Sequence, residues 1–229
     1  MPLATIIRSI VVQSLVSLAA AIVLIFLPAG TLAWPQAWLF LALFFGCGQA
    51  IGLWLLRTDP ALLEARMKPP LSAEQRPADR AIMSAILVVF LLWFVAMGLD
   101  HRFGWSHTPL WAQGLGVVLI LATFWGWVRV LAANSFASTN IALQAERGQS
   151  VISTGPYAIV RHPMYADTIL FMIGIPLLLG SLWGLAGLVV FVPLMGARAL
   201  GEEKMLFEGL DGYADYARKV RFRLVPGVW

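Results

Sequence analysis

Three features of this 229-residue chain predict an all-α, polytopic transmembrane helix bundle of about six spans. Hydrophobic residues make up 60% of it and charged residues only 12%, too apolar a balance for a water-soluble domain. A helix needs about 20 apolar residues to cross roughly 30 Å of hydrocarbon. The uncharged stretches Ser9 to Trp34, Ala33 to Leu56, Ala81 to Leu99, Phe103 to Val128 and Thr168 to Ala197 meet or approach that length. Within each, apolar residues run on without the alternation of a barrel strand, so helices are expected.

Ile7 to Leu27 is too long for the apolar part of a signal peptide and lacks a small-residue cleavage pattern, so it is expected as a retained first span. Pro28 and Gly30 make a short uncharged turn, and a second helix is expected from about Trp34-Pro35 to Leu56. Arg57 to Arg80 reads as a connector carrying Arg57, Arg66, Lys68, Arg76 and Arg80 and broken by Pro60, Pro69, Pro70 and Pro77. The bias of basic residues toward cytoplasmic loops puts it inside. A third helix is expected over Ala81 to Leu99 and a fourth from Pro109 to Leu131. Asp100, His101, Arg102 and His107 fall in the loop between them, where the histidines read as solvated or interfacial. Cys47 stands alone in an apolar run and reads as a packed thiol, which excludes an intrachain disulfide and a cysteine-based metal cluster.

Residues 1–131 thus form one block of four spans with a charged cytosolic connector at 57–80, and residues 132–229 a second block. The second opens with a polar segment at 132–163, in which Ile141 to Gln144 and Ser150 to Ser153 flank Glu146-Arg147-Gly148 in the pattern of a short hairpin. Thr168 to Ala197 as one helix would be about 45 Å long, too long for an untilted span. Two helices from His162 to about Gly201, broken at Gly180-Ser181, each come near the required length. Charge favours the pair: six spans put every Lys and Arg except Arg102 on or near one side, with both termini cytoplasmic. Gly48/Gly52 and Gly180/Gly184 have the spacing that lets helices approach closely. In the tail, a short helix is expected after Asp211 as N-cap, with Tyr213, Tyr216, Ala217 and Val220 on one face. Arg218, Lys219, Arg221 and Arg223 then fall near anionic headgroups, which makes membrane lipids rather than nucleic acid the expected partner.

Ionisable groups gather where the last two spans begin and end: Arg161, His162, Tyr165 and Asp167 at one, Arg198, Glu202 and Glu203 at the other. An antiparallel pair makes these ends neighbours. Charges at membrane depth are costly, so Asp167 and Arg198 are expected to face the interior and to pair with each other. From the chemistry alone, a charge-paired anchor for the hairpin explains the cluster equally well.

Val151-Ile152-Ser153-Thr154-Gly155-Pro156-Tyr157, Arg161-His162-Pro163-Met164-Tyr165, Glu202-Glu203-Lys204-Met205-Leu206 and Gly212-Tyr213-Ala214-Asp215-Tyr216, in that order, resemble the membrane methyltransferases of the isoprenylcysteine carboxyl methyltransferase and phospholipid methyltransferase group. The resemblance covers about Arg129 to Pro226. It implies an S-adenosylmethionine pocket built by the last two spans and completed by a cytosolic helical tail, with no metal. Carried over by position, it implies cofactor contacts from Tyr157, Arg161, His162, Pro163, Tyr165, Glu202 and Glu203. Glu203 would attract the cofactor's ammonium, an Arg or His its carboxylate, and Tyr165 would stack on adenine or face the sulfonium. Arg161, Arg198 and Arg221 are candidates to position an acceptor carboxylate, and Asp167 or Glu202 to serve an amine. The candidate catalytic set is therefore Arg161, Arg198, Glu202 and Asp167, the last standing where many relatives have glycine. The implied acceptor is lipidic or hydrophobic, with carboxylate O-methylation favoured and N-methylation of a phospholipid amine open.

Two other readings stand beside this one. An NADPH-dependent membrane sterol or lipid double-bond reductase would have a similar closing pattern to Tyr213, Tyr216, Val220-Arg221-Phe222-Arg223-Leu224 and Pro226, and a helical membrane scaffold would need no cofactor at all. Glu202-Glu203 beside Arg161-His162 favours the methyltransferase. Gly114-Leu115-Gly116 lies inside an apolar helix and is no dinucleotide-binding loop.

Overall fold

The computed structural model describes residues 3–68, 71 and 76–229, and among them it is built of helices joined by turns and loops, with no strand. The long elements are α1 (Leu3–Ala29), α2 (Pro35–Thr58), α4 (Pro77–Phe103), α5 (Leu110–Ala133), α6 (Pro163–Leu179) and α8 (Leu188–Gly209). The short ones are α3 (Pro60–Arg66), α7 (Leu182–Ala186) and α9 (Tyr213–Lys219). Val11–Ala29, α2, α4, α5 and the joined α7–α8 segment Leu182–Gly209 are long and apolar enough to cross a membrane. The 17 residues of α6 make a shorter sixth, about 26 Å at 1.5 Å per residue. Their outer faces carry exposed Leu110, Trp111, Leu92 and Val189. Lipid, not water, suits that surface, and the chain is an integral membrane protein.

Local chemistry sets the helix ends. Pro35, Pro60, Pro77 and Pro163 lie in first turns, where a missing N–H costs nothing. Gly104 and Gly180 close α4 and α6 at φ 64° and 84°, a left-handed conformation that other residues adopt only with strain. Three expectations are corrected here. The 57–80 connector is not merely broken by prolines: Pro60 starts α3, which Asp59 caps by accepting from the Leu62 N–H at 3.0 Å, while the breaks expected at Pro69 and Pro70 lie outside the described residues. The 141–153 stretch forms no hairpin but a 3₁₀ turn over Ala145–Arg147, because the buried Gln144 takes its backbone partner from the Gln149 side chain. The cap of α9 is Gly212 at φ 82°, not Asp211.

The bundle core joins Ile25 and Phe26 of α1, Phe40 of α2, Trp93 and Phe94 of α4, Ile120 and Phe124 of α5, Phe171 of α6 and Phe191 of α8. The α5–α6 contact brings backbone against backbone, since a Cβ built at Gly116 would stand 2.5 Å from the Leu178 backbone nitrogen. Close approach also holds at Gly184, where a Cβ would meet Pro176 at 2.5 Å. It does not hold at Gly48 or Gly52, which have nothing within 4 Å. Trp93 packs against Gly187 at the α7–α8 joint and donates its indole N–H to the Gly184 carbonyl at 2.6 Å, so a side chain satisfies the backbone where the helix is interrupted.

Polar groups collect at the two ends of the bundle. At one end Asp100, only 1% exposed, accepts from the Ser106 N–H at 2.7 Å, the Ser106 hydroxyl at 2.6 Å and the Ser181 hydroxyl, tying two interhelical turns together. Asp100 and His101 thus belong to α4 rather than to a loop, and His101 stacks on Trp34 with ring centres 4.1 Å apart. The other end carries the cluster described next.

Candidate functional site

The N-terminus of α6 and the C-terminal half of α8 lie side by side, as an antiparallel arrangement requires. Glu203, 3% exposed, accepts from Arg161 Nε at 2.7 Å through Oε1 and from Arg223 Nε at 2.9 Å through Oε2, with His162 Nε2 3.3 Å from Oε1. Arg161 Nη1 also donates to the carbonyls of Ala217 and Val220 at 3.2 and 3.1 Å. The backbone N–H groups of Arg161 and His162 donate to Phe222 and Arg223 carbonyls at 2.9 Å. This network therefore fastens the chain beyond α9 to the mouth of α6. Arg223, read from the sequence as facing headgroups, instead turns inward to Glu203.

The neighbouring Glu202 has a different environment. It accepts from the Tyr165 hydroxyl at 2.7 Å, lies 3.6 Å from His162 Nδ1, and its side chain is 28% exposed. The His162 and Tyr165 rings stack nearly parallel, and the Arg198 guanidinium sits 5.6 Å from the Tyr165 ring centre. Arg198 donates to Asp79 of α4 at 3.3 Å and to the Thr139 carbonyl at 2.6 Å. The expected Asp167–Arg198 pair does not form. Asp167 packs instead against α5 at Gly126, where an added Cβ would come within 2.6 Å of its carboxylate carbon.

These groups surround a cavity of about 300 Å³, the low end of the range for small-molecule sites. Tyr157, Arg161, His162, Pro163, Tyr165, Arg198 and Glu202 line it, whereas Asp167 and Glu203 are not among its lining residues. The wall extends from the polar segment, through Phe136, Ser138 and Thr139, down to Met83, Ile86 and Met195 on membrane helices. The hydroxyls of Thr139 and Tyr213, both lining residues, are buried without a hydrogen-bond partner among the described residues. Burial raises the Tyr157 phenol to about 12, the neighbouring Glu202 charge adding to it against the Asn134 and Arg66 contributions. The Tyr213 and Tyr216 phenols move the same way for the same reason.

The sequence pattern missed several of these residues. Asn134 donates to the Tyr157 hydroxyl at 2.8 Å, and the Tyr216 hydroxyl to the Tyr157 carbonyl at 2.8 Å. Arg66, from the end of α3, lines the cavity as well. Only its place among the connector's basic residues marked it, and nothing local distinguished it from Arg57 or Arg76.

Comparison with curated proteins gives no match. Residues 111–209, from the first turn of α5 to the end of α8, match the family model described as phospholipid methyltransferase. That stretch holds Tyr157, Arg161, His162, Tyr165, Arg198 and Glu202, so the part of the chain that supplies most of the cavity's polar lining is the part similar to the phospholipid methyltransferase family.

Proposed function

We propose that the protein is an integral membrane S-adenosylmethionine-dependent methyltransferase acting on a lipidic or hydrophobic acceptor, with O-methylation of a carboxylate favoured over N-methylation of an amine. The observation that carries this reading is the cavity itself, in which polar residues of the family-matched stretch meet apolar side chains of membrane helices. The residues suit such a cofactor by their chemistry. Glu202 offers an anion to an ammonium or sulfonium, Phe136 and Tyr157 offer aromatic faces, and the unsatisfied Thr139 and Tyr213 hydroxyls suit a ligand rich in hydroxyl and amino groups.

When bound, the cofactor supplies a methyl group already activated on a positively charged sulfur. The chain then has to orient and to exclude water. Tyr165 fixes the Glu202 carboxylate by donating to it, and Glu203 holds Arg161 and His162 in place from behind. Met83, Ile86 and Met195 keep the lower wall dry and suit an acceptor arriving from the bilayer. A carboxylate acceptor is ionised near neutral pH and needs no base, whereas an ammonium must first lose a proton. In this reading Glu202 is the lining carboxylate that would take it.

The test is calorimetry on the detergent-purified protein with S-adenosylmethionine and, separately, NADPH. Saturable binding of the former, weakened in Glu202→Gln, is expected. Binding of NADPH alone replaces this reading by a reductase, and binding of neither by a well-folded protein replaces it by a scaffold. Transfer of labelled methyl groups into lipid extracts then fixes the chemistry: label released as methanol by alkali marks an ester, alkali-stable label an amine.

A further inference from the structure

Each arginine described above as facing the cavity has its charge accounted for, except one. Arg161 is paired with Glu203 and Arg198 with Asp79. Arg66 has no carboxylate partner among the described residues. Its Nη1 donates to the Ala137 carbonyl at 2.8 Å and lies 3.7 Å from the Met164 sulfur, while Nε and Nη2 make no hydrogen bond among the described residues. Burial pushes its guanidinium below the ordinary arginine range, the direction expected of a cation removed from water without compensation.

The fold goes to some length to hold this side chain there. A seven-residue helix is far below the length at which helices persist alone. Leu62, 0% exposed, and Leu63 anchor α3 in a cluster with Leu55 and Leu131, with Met164 of α6 packed alongside. Arg66 is the last residue of that helix. The favourable interaction of a cation with a helix C-terminus and the bond to Ala137 explain one edge of the guanidinium. They leave the other edge, with its Nε and Nη2 donors, unused in a partly buried place where an unpaired charge is costly. Tyr157 lies within electrostatic reach of both Arg66 and Glu202, and all three line the cavity, which thus presents both a cation and a carboxylate to a ligand.

We propose that Arg66 is the anion receptor of this cavity, its free guanidinium edge taking a carboxylate of the bound ligand in a bidentate contact. The inference rests on the methyltransferase reading above. Arg66 lies outside the stretch matched by the family model, so it would be a contribution of the N-terminal half of the chain to ligand binding. The carboxylate has two possible sources, the amino-acid part of the cofactor and an acceptor acid.

Binding to the full-length detergent-purified protein separates them. The probes are S-adenosylhomocysteine against its decarboxylated analogue, and N-acetyl-S-farnesylcysteine against its methyl ester. In Arg66→Gln, binding of one carboxylate-bearing probe is expected to weaken about ten- to hundredfold, the worth of a charge-assisted pair, with its carboxylate-free counterpart unchanged. The probe that responds identifies the source. Arg66→Lys, which keeps the charge but loses the fork, is expected to weaken the same probe by a smaller factor, and it carries the test if Arg66→Gln does not fold. Equal effects on a probe and its counterpart, or no effect on either pair, overturn the proposal while leaving the methyltransferase reading intact. Failure of the wild type to bind any of the four probes overturns both.

Discussion

Glu202 and Glu203 are adjacent in sequence and about 100° apart around α8, and that rotation divides their work. Glu203 points into a buried nest of Arg161, His162 and Arg223, so removing its charge strands cations away from water. Glu203→Gln is expected to destabilise the protein by about 3–5 kcal/mol, read as a lower midpoint of thermal unfolding in detergent. Glu202→Gln is expected to stay within about 1 kcal/mol of the wild type, because the Tyr165 hydroxyl can still donate to the amide oxygen. Its effect should fall on S-adenosylmethionine binding instead. Equal losses of stability in the two variants would refute the division. The sequence marked both residues as one acidic pair, and a linear motif holds no information on which of two neighbours faces the cavity. Asp167 was equally opaque: its partner surface is the bare backbone of Gly126, 41 positions away and silent in any motif.

At the scale of elements, the spans were legible because burial in lipid is a bulk property that any twenty-residue window reports. The close contacts were not. Gly114 and Gly116 look alike in the sequence, yet a Cβ at Gly116 would strike the α6 backbone while Gly114 has nothing within 4 Å. Backbone cannot move aside as a flexible side chain can. Gly116→Ala is therefore expected to cost about 2–3 kcal/mol by forcing α5 and α6 apart. Gly114→Ala should be neutral or stabilising by up to about 1 kcal/mol, since alanine is the better helix former. Unfolding midpoints of the two variants check this, and a similar loss in both would show that the helix contact is looser than described. Helix α3 escaped the sequence reading for a related reason. Its stability comes from Leu62 and Leu63 entering a cluster formed by α2 and α5; Ala61 to Arg66 are all good helix formers, but seven residues are too few for periodicity to mark a helix.

For the whole molecule, the decisive arrangement is that the segment beyond α8 folds back on the mouth of α6. Tyr213 and Tyr216 are buried against Met205, Leu206 and Ile141, and Tyr157 is held between Asn134 and Tyr216. Their phenols ionise above the ordinary value of 10.0, Tyr157 at about 12. The folded state therefore holds these protons more tightly than the unfolded one. Stability from this docking should be fully present below pH 10 and fall as the pH rises through about 12. A tyrosinate absorbance titration that shows these three groups ionising at 10 would contradict the docked tail.

The same arrangement makes topology testable with a single reagent. With six crossings, the 134–162 segment and the tail share one face of the membrane, and the turns at 30–34, 104–109 and 180–181 share the other. Every Lys and Arg but Arg102 lies on or near the first, and the basic-residue bias predicts that this face is the cytoplasmic one. Cys47 is the chain's one cysteine and is half-buried in α2, so Cys47→Ala provides a background for single cysteines at exposed positions. In intact cells a membrane-impermeant maleimide is expected to label His107→Cys and to reach Ser150→Cys and Asp211→Cys only after permeabilisation. Full reversal would keep six crossings and invert their sense. Opposite behaviour of Ser150→Cys and Asp211→Cys would mean that α6 and the α7–α8 segment do not both cross, and would pull apart Tyr165 and Glu202, on whose meeting the cavity depends.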